Sequence, residues 1–393
     1  MYSAYIQILV IIVGGGPAGC AAALALNRTD GTHSFVLIDD SDPAAFKVMF
    51  SYSPPLSCSG RDHTQCTGNA SVWSSQDLHE QYSIMNPYGS GWHLDRALFD
   101  ESLRDAVRDG CDKTSSNCTP SKLTRERLVS LEKRDDIWSV HTEHLDTGAA
   151  NCHRSKWLVD ATGRKAALSR KVFVSVYPSV VCAVSTNSHL KLGAKIQKTD
   201  KLLAFYSLFV SSEDDADYRT LIEATESGWW YTSCTSHNRR IVVYHTDDDD
   251  PSAKLARTPD GFLNLLHNHT HYISQIITEH NYNFPPEARF PRSTAAGSSV
   301  LDPICDETER WCAVGDTAMA FDPLSSQGII TALNAGCFVG DELAKRISFG
   351  TDVPTSDKMR SYFAAIGQKY EREKKYYYRQ ARFDGRFWTR RRL

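Results

Sequence analysis

An α/β chain with a parallel sheet at its amino-terminal end is predicted by three observations on the 393-residue sequence. Ile6, Ile8, Leu9, Val10, Ile11, Ile12 and Val13 form a near-continuous apolar run, as expected of a parallel strand covered on both faces. Gly14, Gly16 and Gly19 follow at G-x-G-x-x-G spacing and open a helical stretch, Cys20–Asn27. A second apolar run, Phe35 to Ile38, ends in Asp39 and Asp40, with Asp39 lying 20 residues after Gly19.

Each element has a physical reason in that order. The first glycine permits a tight turn, the second lets the backbone approach a pyrophosphate, and the third lets the helix pack close to its strand. Gly14, Gly16, Pro17, Ala18 and Gly19 are thus expected to bind a dinucleotide, with free N–H groups at the helix start facing its diphosphate. Asp39 stands where an acid meets an adenosine ribose hydroxyl.

Composition bounds the rest. At 41% hydrophobic and 23% charged residues the chain is ordinary for a globular protein, and a net charge of −3 gives no reason to expect nucleic acid as a partner. The amino-terminal apolar run lacks a basic flank and ends in the glycine turn, so it reads as strand and not as a secretory signal. No other stretch approaches the roughly 20 apolar residues needed to span a bilayer, so no membrane is expected. Eleven cysteines without regular spacing fit reduced thiols in a cytoplasmic protein better than a disulfide framework. Cys58, His63, Cys66, Cys111 and Cys118 contain no paired C-x-x-C, and no metal site is expected.

Farther along, residues 47–71 are rich in Ser, Pro and Cys, and Pro54-Pro55 makes a loop of them. Gly91 to Arg96 reads as a strand entering a helix, with Asp95 as its cap, acids in its first turn, and Phe99, Leu103, Ala106 and Val107 as its apolar stripe. Arg96 then either touches the dinucleotide or pairs with Asp100. Strand 157–161 ends in Thr162-Gly163-Arg164, a further glycine turn rejoining the first sheet. Residues 171–290 hold strand-like runs at 202–210, 229–233 and 241–246, a helix near 261–267, and an acidic run, Asp247–Asp250, expected as a solvated turn. The strand Trp311–Val314 closes on Gly315-Asp316, and a small-residue helix begins near Ser325. From Lys369 onward ten Lys and Arg stand against three acids, interleaved with aromatics. That tail is either a packed amphipathic helix or a surface for an acidic partner.

The glycine motif, Asp160-Ala-Thr-Gly163 and Gly315-Asp316 together resemble the FAD-binding fold of the p-hydroxybenzoate-hydroxylase-type flavoproteins. The finer resemblance is to their tryptophan-halogenase-like branch, and within it to the monooxygenases that hydroxylate protein-bound tryptophan. It rests on Val72-Trp-Ser-Ser75, Gly91-Trp-His-Leu-Asp-Arg96, Gly228-Trp-Trp-Tyr231, Asp322-Pro-Leu-Ser-Ser-Gln-Gly328 and Arg386-Phe-Trp-Thr-Arg390. The resemblance implies a Rossmann-like FAD-binding domain of the glutathione-reductase type in two parts, 1–170 and 291–345. A β-sheet substrate domain is inserted at 171–290, and a helical tail covers 346–393. It implies that Gly163 flanks the cofactor and that Gly315 and Asp316 hold the ribityl chain. Pro323, Ser326, Gly328 and Ile329 would face the flavin across a helix start, whose partial positive charge suits an anionic reduced ring.

The departures from that branch are specific. Its halogenases use a lysine, and none occurs here from Val48 to Asp112. Their W-x-W-x-I-P is WWYTS here, and Ser325 stands where they carry a glutamate. The Gly-Glu-Ser loop common in the branch is missing, leaving the flavin-edge contacts of 47–56 open. The implied activity is therefore hydroxylation of an electron-rich aromatic, an indole or phenol, by a flavin C4a-hydroperoxide. Halogenation and a flavin-binding protein without turnover are the alternatives. Tyr206, Trp229, Trp230 and Tyr231 either wall the substrate pocket or pack a core. His93 and Lys47 are the candidate bases, with Ser325 at the flavin. The substrate is a small aromatic molecule or a peptide-borne tryptophan, and electrons come from NAD(P)H directly or from a separate flavin reductase.

Overall fold

The computed structural model describes residues 8–28, 33–41, 63–87, 89–112, 121–169, 172–175, 188–235, 238–284, 291–349 and 355–393. Lys47, the 47–56 loop, Cys58 and Cys118 lie outside the described residues.

The strand Ile8–Val13 forms the middle of a nine-stranded sheet, running parallel to Phe35–Asp39 on one side and Ala150–Asp160 on the other. Beyond them lie Lys122–Arg134 and, on the opposite flank, Trp311–Ala313, which runs parallel to Ala150–Asp160. Val10, Ile11 and Ile12 are wholly buried, which is why this strand shows no polar alternation. Helix Pro17–Arg28 leaves the glycine turn and packs against helix Gly328–Phe349. Gly336 and Gly340 permit that contact, since a Cβ on either would stand 2.4 or 2.5 Å from the backbone oxygens of Ala18 or Ala22. The start of the late helix is thereby fixed beside the start of the first.

A seven-stranded sheet forms the second layer, in the order Arg292–Ala295, Leu202–Val210, Arg239–Asp247, Gly228–Thr235, Arg219–Thr225, Gly68–Val72, His79–Tyr82. The expected 171–290 insertion supplies four of these seven strands. The other three come from segments on either side of it, because the chain already crosses to the second sheet at Gly68. One face carries Phe205, Phe209, Trp230 and Tyr244 against helices Pro259–His269 and Tyr272–Glu279. The other carries Trp229, Tyr231 and Val243 toward the C-terminal helices Thr355–Arg379 and Arg386–Arg392.

The basic tail is packed. Trp388 is fully buried and donates its indole N–H to the carbonyls of Thr225 and Glu226 at 3.0 and 3.1 Å. Arg382 donates to the carbonyls of Val72, Ser75 and Ala224. The acidic run expected as a solvated turn is the counter-charge of this tail. Asp247 is buried against Arg390 and Arg391, and Asp249 pairs with Arg386 and Arg390. Among the described residues no helix is long and apolar enough to cross a membrane.

Candidate functional site

A cavity of about 740 Å³ lies between the two sheets, and four stretches of chain wall it. The first wall is the glycine turn. Gly14 has φ +115°, and a Cβ there would stand 2.2 Å from the oxygen of Ala161; one on Gly19 would stand 1.9 Å from the oxygen of Gly14. Both positions are therefore closed to any side chain. Gly16 is different: a Cβ there meets no protein atom within 4 Å, and Gly16, Pro17 and Ala18 line the cavity. Gly163 and Gly328 share both properties. Three bare glycines thus border one space from three directions, beside two helix starts, which is a cradle for an extended anionic ligand.

Asp39, Ser41, Arg96 and Asp100 line the same end. The Asp39 carboxylate accepts the N–H of Gly15 at 3.2 Å and the hydroxyl of Ser41 at 2.6 Å, so it braces the turn it faces. Sequence reasoning missed its partner. Arg104 is 2% exposed; it donates to the carbonyl of Gly15 at 3.1 Å and stands 3.4 Å from the Asp39 carboxylate. Ala106, expected on the apolar stripe, is exposed instead. The available signal was Arg96, Asp100 and Arg104 at i, i+4, i+8, one charged row on helix Arg96–Asp112. Arg96 meets both of its readings at once, lining the cavity while pairing with Asp100 at 2.9 Å.

The second wall is the turn after Asp160. That buried carboxylate accepts both the N–H and hydroxyl of Thr162 and those of Ser169, fixing the backbone around Gly163. Arg164 then reaches across, donating to the carbonyls of Gly297 and Phe321 and standing 3.3 Å from the Asp316 carboxylate. Asp316 lines the cavity beside Gly315, whose φ is +64°, and it does so with this arginine as partner.

The third wall is Phe321 to Ala332. Asp322 caps a single turn by accepting the N–H of Leu324 at 3.0 Å, and Pro323, Ser326, Gly328 and Ile329 line the cavity. Ser325 is not on the lining; its hydroxyl donates to the Asp322 carbonyl at 3.0 Å and holds the turn.

The fourth wall is the second sheet: Ala204, Tyr206, Val243, His245, Thr294, Ala295 and Ala296. Tyr206 is therefore at the cavity, whereas Trp229, Trp230 and Tyr231 are not. Consecutive strand residues point to opposite faces, so the three cannot share a wall. Trp229 lies on the same face as Tyr206 but one strand beyond the lining, stacked on its cross-strand neighbour His245 with ring centroids 3.7 Å apart. Trp230 stacks on Tyr244 on the far face. Tyr231 donates its hydroxyl to Ser233 at 3.0 Å, and burial holds that phenol well above its ordinary pKa.

His93 lies away from the cavity. Its Nδ1 is 2.9 Å from the carbonyl of Cys234 and its Nε2 3.1 Å from the hydroxyl of Thr220, and burial pulls its pKa down to about 4. Among the described residues no three His, Cys, Asp or Glu side chains gather to hold a metal ion.

No protein-family model matches the chain. Over 384 residues it is 26% identical to the LodB protein of Marinomonas mediterranea (strain ATCC 700492 / JCM 21426 / NBRC 103028 / MMB-1), named as an inferred FAD-dependent oxidoreductase, with 93% of each chain covered. Among solved structures, the flavin-dependent brominase Bmp2 superposes with a TM-score of 0.72 at 16% identity, over 94% of this chain and 87% of its own. The peptidyl tryptophan dihydroxylase QhpG, essential for tryptophylquinone cofactor biogenesis, superposes with a TM-score of 0.70 at 16% identity, over 98% and 79%. The chain is thus similar in sequence to one flavoprotein and shares the fold of the flavin-dependent halogenases and of a tryptophan hydroxylase.

Proposed function

We propose that this chain is a FAD-dependent oxidoreductase, and specifically a monooxygenase that hydroxylates an electron-rich aromatic ring of the indole or phenol type. The observation that carries the proposal is the continuity of one cavity from the glycine turn to the second sheet. A dinucleotide laid along Gly14–Ala18 and past Gly163 and Gly328 would end against Tyr206, Thr294 and Ala295, where a substrate ring has room to approach. The similarity to LodB supports FAD as that dinucleotide. Bound FAD, once reduced, supplies the electrophilic oxygen.

The chain's own residues bind, orient and exclude water. The amides of the first helix start and Asp39 would hold the diphosphate and ribose end, and Gly163, Gly315 and Asp316 the ribityl chain. The turn at Pro323–Ile329 would set the ring's edge. Ala204, Val243, Ala296, Phe321 and Ile329 keep the substrate end largely apolar. Hydroxylation is favoured over halogenation by the absence of any lysine from Val48 to Asp112 and by Ser325 at its turn. Electrons come from NAD(P)H at the flavin or from a separate flavin reductase.

The test has two stages. Heat-released cofactor from the purified protein is expected to be FAD. Gly16→Val is expected to lower FAD affinity more than about a hundredfold, because its side chain takes cavity space, while the cofactor-free protein melts unchanged. The protein is then given reduced FAD, oxygen, bromide and a panel of indoles, phenols and tryptophan peptides. Products heavier by one oxygen support the proposal. Enzyme-dependent brominated products that survive catalase and a hypohalite scavenger replace it with halogenation. Anaerobic reduction by NADH or NADPH alone, followed by absorbance, decides the electron source.

A further inference from the structure

Among the described residues Asp322 is the most deeply buried carboxylate on the wall of the cavity proposed as a flavin site. Capping a single turn does not explain it. A serine or asparagine caps as well without burying a charge, and burial pushes this carboxyl above its ordinary pKa. Its surroundings explain it better. One oxygen caps Leu324, and the other accepts the hydroxyl of Tyr378 at 2.7 Å. That same Tyr378 oxygen accepts the indole N–H of Trp229 at 3.2 Å. Arg391 Nε stands 4.0 Å from the carboxylate, and the backbone N–H of Asp322 donates to Tyr370 at 2.5 Å.

These contacts join three regions of chain that are far apart in sequence. Trp229 belongs to the second sheet, Tyr378 to helix Thr355–Arg379, and Asp322 opens the turn lining the cavity. Arg164 grips the turn from the opposite side, through the carbonyl of Phe321 at 2.7 Å. The turn is therefore held at more than one point: Tyr370 takes the backbone N–H of Asp322, and Tyr378 is the phenol that takes its carboxylate.

We infer that Tyr378 is a positioning residue for the bound flavin: its hydroxyl, fixed by Trp229, holds the Asp322 carboxylate and through it sets the Pro323–Gly328 turn against the cofactor. The inference rests on the cavity's reading as a FAD site, and it makes the C-terminal helices part of that site. The hydroxyl acts on the flavin only through Asp322, so removing either partner costs the same single constraint.

Full-length wild type, Tyr378→Phe, Asp322→Asn and the double variant are compared by FAD dissociation constant, from flavin fluorescence on titrating apoprotein, and by the visible absorption of bound flavin. Tyr378→Phe keeps the ring packed against Trp73, Phe387 and Trp388 and removes only the hydroxyl. Each single variant is expected to weaken FAD about tenfold and to shift the flavin bands. The double variant is expected to be no weaker than either single one, since both break one linkage. Arg382→Met, which cuts the tail's bonds to Val72, Ser75 and Ala224 without touching Asp322, is the control; it lowers the melting temperature and leaves FAD affinity and bands unchanged. FAD affinity within twofold of wild type in Tyr378→Phe, or single effects that add in the double, overturns the inference. If one single variant does not fold, the other decides by the same two readings. Wild-type protein that retains no FAD overturns the cofactor reading itself, a failure visible before any substitution is made.

Discussion

The two ends of the cavity bury polar groups in opposite ways. At the glycine turn they are charged and paired: Asp39 with Arg104, Asp100 with Arg96. On the second-sheet wall the buried polar ring is neutral. His245 lies flat on Trp229, and burial pulls its pKa down to about 3. His93, on a strand beside that sheet, is likewise held near 4. An end that meets phosphates needs fixed charge and backbone N–H groups, and it offsets the desolvation of its carboxylates with arginines. An end that meets an aromatic ring needs a dry surface, and keeping His245 uncharged helps to leave it dry.

Arg104 is where the contrast is sharpest, and its loss has the largest expected effect. Arg104→Leu leaves Asp39 buried with no cation and removes the donor to the Gly15 carbonyl. Breaking a buried pair from one side costs about 3–5 kcal/mol. The cofactor-free protein is expected to lose that much in urea unfolding, and adding Asp39→Asn is expected to restore part of it. A loss under about 1 kcal/mol would mean the pair is not what holds the glycine turn, and the two ends would then differ less than their geometry says.

That difference also decided what was legible in the sequence. The first end is built from local constraints. An apolar run that stops at a glycine turn reads as a covered strand. Of the three glycines at fixed spacing the first and third mark places where no side chain fits, with approaches of 2.2 Å at Gly14 and 1.9 Å at Gly19, while Gly16 leaves bare backbone facing the cavity. The strand 202–210 and the cap at Asp95 were equally readable, because period and capping act over a few residues. The second end depends on register between distant segments. That Tyr206 reaches the cavity while Trp229 stands one strand beyond His245 follows from the pairings Ala204 to His245 and Trp229 to His245, which no local pattern encodes. Arg104 was hidden for a related reason: an arginine on an amphipathic helix reads as solvated until its partner 65 residues away is placed beside it.

The second prediction concerns acid. In the unfolded chain both imidazoles titrate near 6.5, whereas in the folded protein His93 and His245 take a proton only near 4 and 3. Between those values the unfolded state binds more protons, so stability rises with pH in that window and is lost as pH falls below about 6.5. Each imidazole contributes about 1 kcal/mol per pH unit. Urea midpoints of cofactor-free protein between pH 6 and 5 are expected to show that slope, and His93→Gln to halve it. A flat profile would mean that the folded protein charges these rings without penalty, and the neutral character of the second-sheet side would be lost.

The smallest expected effect is the most specific to the substrate. Tyr206 and Trp230 lie on the same sheet, each read in the sequence as a pocket wall or as core; Tyr206 lines the pocket, while Trp230 packs between Tyr244 and Phe262 on the far face. An aromatic contact of this kind is worth about 0.5–1.5 kcal/mol, or roughly two- to tenfold in affinity. Tyr206→Ala is therefore expected to raise the KM for an aromatic substrate by up to about tenfold. FAD affinity should change much less than KM, because the glycine turn, Asp39 and Arg104 that would hold the diphosphate end do not touch Tyr206. Trp230→Phe keeps the far-face stack and is expected to lower the melting temperature while leaving KM unchanged. The pair of measurements separates position from composition. If Trp230→Phe raised KM more than Tyr206→Ala did, the face assignment forced by the two-residue period of the strand would fail, and the substrate would have to meet the sheet from the side now covered by helix Pro259–His269.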